Sequence, residues 1–455
     1  MSAWQAVILA AGAGTRMRSA TPKVLHNVCG VPLINHVVNA LQNAGFRTPI
    51  IVVSPKSEVL HAYFGDDVDF VVQETPLGTG HALASVQGSL RALTKNVLVI
   101  NGDCPFVSSD SINRLMKCHE QSNSQMSLMA TEGVDQEGYG RIIRDSFGEI
   151  SEIVEELDAT PEQLGIKEVN GGVYALQVPL LWPQLARLKP SLNGEVYLTD
   201  MVACVYKAKG KTSTMHVSDP HEVLGVNTRV DLARAEAIMQ IRIRNQVMVH
   251  GVTLIDPSTT YIHSSVHIGK DTVLYPNTHL MGNSIIGESC KIGPNTVVRD
   301  SVVDRGCIIV SSIVDGTTLG VGVDVGPFSN LRLGSHIGEG THIGNYVEIK
   351  ESVLGSDVKI GHFNYIGDAD IGSKVNIGAG TVTANYDGYA KNRTTIEENA
   401  FIGSDTMLVA PVRIGKNAAT GAGSVVTKDV AAGETVKGVP AKPELIQPAK
   451  RTKKA

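Results

Sequence analysis

Aromatic residues are scarce in this 455-residue chain, with 8 Phe and 2 Trp. That excludes a core of stacked rings, so aliphatic packing must supply the burial. No apolar run approaches the roughly 20 residues of a membrane helix. Residues 1–5 carry no basic stretch, and residues 6–11 run straight into a Gly-rich turn. The pattern is expected to be a buried strand, not a signal peptide. None of the six cysteines (Cys29, Cys104, Cys118, Cys204, Cys290, Cys307) forms a C-x-x-C pair. Zinc-ribbon and thioredoxin-like readings lose their support, and scattered thiols fit a reducing cytoplasm. The net charge of −5 provides no basic field to recruit nucleic acid. Lys442, Lys450, Arg451, Lys453 and Lys454 form a basic tail, expected to be a frayed, solvated end.

What the chain has in quantity is glycine, 46 residues, and length enough for two or three domains. Val7-Ile8-Leu9, Ile50-Ile51-Val52-Val53, Phe70-Val71-Val72 and Val97-Leu98-Val99-Ile100 are short continuous apolar runs. Strands buried on both faces have that pattern, which predicts an α/β sheet with helices on either side. Residues 32–44 show helical spacing and stop at Gly45, a C-cap. Residues 231–248 predict a helix joining two domains. The organisation expected is a front domain at 1–228, a linker helix at 229–250, a repeat domain at 251–440 and the tail at 441–455.

Beyond the linker the period changes. An aliphatic residue recurs every sixth position at Leu319, Val325, Leu331, Ile337, Ile343 and Ile349. After a five-residue step it resumes at Leu354, Ile360 and Ile366, then at Ile371 and Ile377. It returns at Ile396, Ile402, Leu408 and Ile414. Gly often follows, as at Gly320, Gly338, Gly361 and Gly403. Neither 3.6 nor 2 explains this spacing. A prism does, with three flat faces per coil, one inward aliphatic per face and a small residue at each bend. The repeat is lost across residues 384–391, and a solenoid loops out such an insertion, often on its binding face.

In the front domain, Leu9-Ala10-Ala11-Gly12-Ala13-Gly14-Thr15-Arg16 follows a strand and precedes Lys23. Small residues let backbone N–H groups approach an anion, and Arg16 and Lys23 add charge for a polyphosphate. No G-K-[ST] closes the turn, so it is not Walker A. Met17 stands where the third Gly of a dinucleotide fingerprint belongs. Asp103 ends the run 97–100, at the mouth of an open sheet. A hard carboxylate there either caps the next turn or holds Mg²⁺ against phosphates.

These motifs, with Gln73, Leu77-Gly78-Thr79-Gly80-His81, Tyr139-Gly140-Arg141, Glu155, Asn170, Gly194-Glu195-Val196-Tyr197 and Gly225-Val226-Asn227, resemble the sugar-1-phosphate nucleotidyltransferases. With the repeats behind them, residues 5–435 are similar to the bacterial bifunctional N-acetylglucosamine-1-phosphate uridyltransferases and glucosamine-1-phosphate N-acetyltransferases. The resemblance implies a Rossmann-like nucleotidyltransferase domain followed by a left-handed parallel β-helix; the hand comes from the family. It implies that Leu9, Ala10, Ala11, Gly12, Gln73, Gly78 and Thr79 hold the uridine of UTP. By the same likeness Arg16 and Lys23 neutralise the α-phosphate, and Asp103 and Asn227 hold Mg²⁺. Gly140, Glu155 and Asn170 take N-acetylglucosamine 1-phosphate. Asn101 departs from the family, where Tyr is common.

In the repeat domain, Arg332 and Lys350 are eighteen apart, one coil of three hexapeptides, and so should stack and clamp one phosphate. His362 is a base candidate, since histidine titrates nearest neutrality. The family likeness adds Tyr365 and Asn376 to Arg332 and Lys350 for glucosamine 1-phosphate. It assigns Ala379, Asn385, Tyr386, Ser404 and Ala422 to acetyl-CoA, an oxyanion-stabilising N–H near Ala379, and Glu348 as orienter of His362. A CoA-binding Arg common before Val-Pro is missing, and Lys437 or Lys442 would replace it. The likeness also implies a homotrimer. Three other readings remain: a monofunctional nucleotidyltransferase with a regulatory β-helix, a zinc site at His336, His342 and His362, and a non-enzymatic scaffold. His336 and His342, six apart, should lie on different faces and fail to converge on a metal.

Overall fold

The computed structural model describes residues 3–12, 14–55, 57–132, 138–191 and 194–443. The chain divides into two compact units, Met1–Met239 and Gln240–Ala455.

The first unit is built on a nine-stranded mixed sheet. Trp4–Leu9 lies at its centre, parallel to Ile50–Val53 on one side and to Asn96–Asn101 on the other. Successive side chains of a strand point to opposite faces. Ile8, Leu98 and Ile100 therefore enter one core, and Val7, Leu9, Val97 and Val99 another. Continuous apolar runs follow from burial on both sides. Asp69–Val72 is the exception, because the run Phe70-Val71-Val72 forms an edge strand with one neighbour and Val72 is 39% exposed. The long strand Val169–Gln177 runs antiparallel to its neighbours and carries a register shift between Asn170 and Tyr174.

Helix Leu33–Asn43 ends as its sequence requires. Gly45 takes φ +97°, Phe46 N donates to Leu41 O at 3.0 Å and Gly45 N to Gln42 O at 2.9 Å. This double bond pattern satisfies carbonyls the helix would otherwise strand. Helix Arg229–Val249 opens on a reciprocal cap: Asp231 N donates to Thr228 Oγ1 (3.1 Å) and Thr228 N to Asp231 Oδ2 (2.8 Å). Its residues fall in both units.

The second unit is a left-handed parallel β-helix. Its strands form three parallel sheets of 12, 10 and 9 members, apart from one closing antiparallel hairpin, and consecutive strands in the chain belong to different sheets. Asp324–Val325, Asn330–Leu331 and His336–Ile337 make one coil, and His342 returns to pair with Asp324. Every aliphatic of the six-residue register is buried in one continuous core. The bends need glycine where coils touch: at Gly326, φ is +109° and a Cβ would stand 2.1 Å from Val310 O. Ala369 pairs with Thr394 across the long insertion, whose Tyr386 and Lys391 bridge to each other.

Lys442 is not frayed: Lys442–Pro443 pairs antiparallel with Thr435–Lys437. Lys450, Arg451, Lys453 and Lys454 lie outside the described residues, as does Ala13. No helix among the described residues is long and apolar enough to cross a membrane.

Candidate active sites

The turn after Trp4–Leu9 is pinned between its neighbours. Ala10 N donates to Val52 O, and Gly102 N to Leu9 O, both at 2.9 Å. Gly14 takes φ +59°, and a Cβ there would press to 2.7 Å on Lys23 Cβ, so glycine admits Lys23 to this corner. The Lys23 ammonium pairs with the Asp103 carboxylate and donates to Asn227 Oδ1 at 3.1 Å. Arg16 Nη2 donates to the same oxygen at 3.1 Å. Val226 N donates to Asp103 O at 3.0 Å and fixes the 225–227 loop beside the carboxylate. Two cations, one carboxylate and one amide oxygen thus converge at the strand ends. Asp103 and Asn227 offer hard oxygens turned to one point, a donor pair that suits a divalent cation sharing phosphate oxygens.

Gln73, just past the edge strand Asp69–Val72, is buried. Its Nε2 donates to Gly78 O at 3.2 Å and meets His81 Nδ1 at 2.8 Å, which leaves the amide oxygen for an incoming base. Gly78 (φ +101°) lies against backbone; a Cβ would stand 2.6 Å from Val196 O. Thr79 Oγ1 accepts from Leu198 N at 2.9 Å.

The sugar candidates gather on strand Val169–Gln177 and its neighbours. Asn170 N donates to Gly140 O at 2.9 Å, and Asn170 Nδ2 donates to the Tyr174 hydroxyl at 2.7 Å. Glu155 Oε1 accepts from Thr199 Oγ1 at 2.8 Å. Burial pushes the Glu155 carboxyl up, against the pull of that hydrogen bond. Asn101 lies between the two groups. It pairs with Leu9, and a Cβ on Gly172 (φ +69°) would stand 2.9 Å from its Nδ2. Thr199 and Tyr174 are contributors the sequence reading gave no role.

In the β-helix the candidates form columns. Asn345 pairs with His362, and the ladders Ile360↔Ile377, Ile377↔Ile402 and Phe401↔Ala419, continued along their strands, place Ala379, Ser404 and Ala422 above it. Lys437 misses this column by one position: it follows the Thr420↔Val436 pair and stacks on Gly421. On the adjoining sheet, Leu331 pairs with Ile349, so Arg332 stacks on Lys350, as their spacing predicts.

The long loop brings a further cation. The Lys350 and Lys391 ammoniums lie side by side, and Lys391 pushes the Lys350 pKa down. Asn385 Nδ2 donates to the Tyr365 hydroxyl (3.5 Å) and to Asp368. Gly367 makes that meeting possible, since a Cβ would stand 2.6 Å from the Tyr365 oxygen. Tyr386 is exposed and bonds within the loop, to Gly388 O at 2.7 Å.

Two expectations change here. Glu348 does not orient His362; its Oε1 accepts from Arg332 Nη1 at 2.7 Å, and the partner of His362 Nδ1 is Asn345 Oδ1, at 2.7 Å. The cause is register, because Glu348 lies on the sheet of Tyr365 and Asn345 on that of His362. Asn376 stands apart from Arg332, Lys350 and Tyr365, on a different sheet between Lys359 and Phe401. His336 and His342 also lie on different sheets, and no group of three or more His, Cys, Asp or Glu among the described residues is arranged to hold a metal.

Comparison with known proteins bears on both sites. Residues 6–198 match the MobA-like NTP transferase domain, and residues 265–300 and 393–428 match the bacterial transferase hexapeptide of six repeats. The bifunctional protein GlmU of Heliobacterium modesticaldum is 44% identical over 430 residues, covering 94% of either chain. The chain belongs to the bifunctional GlmU family. The GlmU of Shouchella clausii is 41% identical over 432 residues, 94% of this chain and 95% of its own. That of Caldanaerobacter subterraneus is 43% identical over 428 residues, 94% and 93%. A solved UDP-glucose pyrophosphorylase covers 52% of this chain and 98% of its own at 19% identity and a TM-score of 0.45, and carries no weight beside these. A GlmU is a bifunctional uridyltransferase and acetyltransferase, so this chain is an enzyme with two transfer activities. A β-helix with a purely regulatory role is not favoured.

Proposed function

We propose that the chain transfers acetyl from acetyl-CoA to glucosamine 1-phosphate, then uridylyl from UTP to N-acetylglucosamine 1-phosphate, releasing pyrophosphate. The product, UDP-N-acetylglucosamine, feeds peptidoglycan and lipopolysaccharide synthesis in the cytoplasm. Residues 1–228 carry the uridylyl transfer, 229–250 the link and 251–440 the acetyl transfer. The observation that carries the reading is the presence on one chain of two separate cationic corners, Arg16–Lys23 and Arg332–Lys350–Lys391, the second on the sheet adjoining His362.

In the first site the sugar phosphate attacks the α-phosphate of UTP directly, so positioning and charge neutralisation do the catalysis. The small-residue turn at Leu9, Ala10, Ala11 and Gly12, with Gln73, Gly78 and Thr79, holds the nucleotide. Gly140, Glu155 and Asn170 hold the sugar, and Arg16 and Lys23 stabilise charge as the bond forms. Asp103 and Asn227 would hold Mg²⁺, which when bound supplies positive charge to the phosphates.

In the second site Arg332, Lys350, Lys391 and Tyr365 bind the phosphate of glucosamine 1-phosphate. Two adjacent ammoniums repel, and a shared anion removes that cost. His362 Nε2 takes the proton of the sugar amine as nitrogen attacks the thioester carbonyl, and the C–S bond then breaks to release CoA as its thiolate. A backbone N–H near Ala379 stabilises the oxyanion. Asn385, Tyr386, Ser404, Ala422 and Lys437 receive acetyl-CoA. A homotrimer completes the site, because Asn376 and the Arg332 cluster lie on different faces of one chain and a second copy packed at the corner joins them.

Replacing His362 with Ala is expected to abolish CoA release from acetyl-CoA and glucosamine 1-phosphate while sparing uridylyl transfer. Undiminished acetylation by the variant would refute the assignment.

A further inference from the structure

We infer that Asn345 is the positioning residue of the acetyl-transfer base, holding His362 in the tautomer whose Nε2 is free to accept a proton. The inference rests on the reading of His362 as that base. His342–Asn345 and Lys359–His362 are neighbouring strands of one parallel sheet, with His342↔Lys359, Ile343↔Ile360 and Asn345↔His362 in register. Ile343 and Ile360 point into the core, and the next paired side chains leave the coil together at the corner. Between them stand Gly344 and Gly361, where the two coils touch: a Cβ on Gly344 would lie 1.8 Å from Gly361 O. That contact fixes the height of one coil on the other, and with it the 2.7 Å separation of Asn345 Oδ1 from His362 Nδ1.

An amide oxygen can only accept. His362 Nδ1 therefore carries the proton, and Nε2 carries the lone pair. Two nearby carboxylates are engaged elsewhere. Asp324, on the coil below, meets His342 Nδ1 at 2.7 Å, and Glu348 accepts from Arg332. On the coil above, Asp405 fills the space beside Gly380 and its backbone N–H donates to Ala379 O at 2.6 Å. Lys359 on the same strand and Tyr365 on the next are further titratable groups. The group behind the base is thus neutral. It sets the tautomer without stabilising the imidazolium as a carboxylate would.

Two variants and one spectrum test this in the full-length protein. Asn345→Ala is expected to lower kcat for acetyl transfer about ten- to a hundredfold, part of the 10²–10⁴ that a positioned base supplies. KM for glucosamine 1-phosphate and for acetyl-CoA should stay within about twofold, because uniform substrate binding is untouched, and uridylyl transfer should be unchanged. Asn345→Asp should restore kcat and move the acid limb of the acetyl-transfer pH profile upward by about one unit, because a neighbouring anion favours the protonated ring. The ¹⁵N shifts of His362 in the unaltered protein should report the Nδ1–H tautomer. A protonated Nε2, or Asn345→Ala with the native kcat and pH profile while His362→Ala is dead, overturns the inference. Acetyl transfer that survives His362→Ala would instead refute the base itself.

Discussion

Replacing Gly78 with Ala should disable one activity and leave the other. At φ +101° an L-side chain is strained by about 1–2 kcal/mol. The added Cβ also has nowhere to go. It would lie 2.6 Å from Val196 O, 2.8 Å from Val196 N and 3.1 Å from Val196 C, all backbone atoms rather than a flexible side-chain tip. Relief requires residues 77–80 and 196–198 to part. Three hydrogen bonds lace them: Val196 N to Leu77 O (2.8 Å), Gly80 N to Val196 O (2.8 Å) and Leu198 N to Thr79 Oγ1 (2.9 Å). Each contributes about 0.5–1.5 kcal/mol. Strain and the loss of all three bonds together amount to roughly 2.5–6.5 kcal/mol, concentrated where Gln73, Gly78 and Thr79 would meet the nucleotide. Even about 2 kcal/mol lost from the transition state is roughly thirtyfold in rate. Steady-state uridylyl transfer at varied UTP is the assay, with CoA release as internal control. Expected is a fall of at least about thirtyfold in kcat/KM for UTP, with acetyl transfer within about twofold of normal. Native kcat/KM for UTP would show that the loop relaxes freely, and the steric argument would fall.

Gly12→Ala is the complementary case, since a Cβ there meets nothing within 4 Å. Thermal melting should be unchanged while UTP turnover falls, because the space is needed only for the bound nucleotide. Lys391→Ala should raise KM for glucosamine 1-phosphate about tenfold without altering KM for acetyl-CoA, as checked by initial rates at varied substrate. Ile360→Ala removes a side chain fully enclosed by the coil, and should cost about 2–5 kcal/mol in a denaturant melt. For Glu155 the sign follows from burial, which raises its folded pKa above the ordinary 4.5. The folded state therefore binds its proton more tightly, a contribution present at low pH and lost as pH rises through the folded value. Melting curves from pH 4 to 8 should show that loss in the native protein and its absence in Glu155→Gln, which keeps an acceptor for Thr199.

Much of this was legible because it is periodic or local. The six-residue register exposed the β-helix, since each aliphatic is the one inward side chain of its strand. Arg16, Lys23 and Asp103 were legible as strand-end chemistry; Lys23 pairs with Asp103, and Arg16 reaches Asn227. Asn227 was found only through the family likeness; its spacing from Asp103 carries no periodic signal, and a loop pinned by one backbone bond brings it there. The edge position of Asp69–Val72 was invisible for a different reason. An apolar run reports hydrophobicity, whereas the number of neighbouring strands is decided by sheet order.

The one misassigned partner shows where repeat reasoning needs correction. Glu348 lies fourteen residues before His362, a separation that matches no full coil of the helix. In a β-helix what matters is the residue one full coil away on the same face, and here that distance is 17, not 18. The five-residue step between Ile349 and Leu354 shortens the coil by one residue, so counting eighteen back from His362 lands on Gly344, the contact glycine, instead of Asn345. A similar short step, between Ile366 and Ile371, keeps Ala379 seventeen beyond His362, and the insertion at 384–391 then places Ser404 twenty-five beyond Ala379. The column Asn345, His362, Ala379, Ser404, Ala422 is straight in space and irregular in sequence. Any partner of a β-helix base is therefore found by summing coil lengths strand by strand, and the side chain so found behind His362 is an amide.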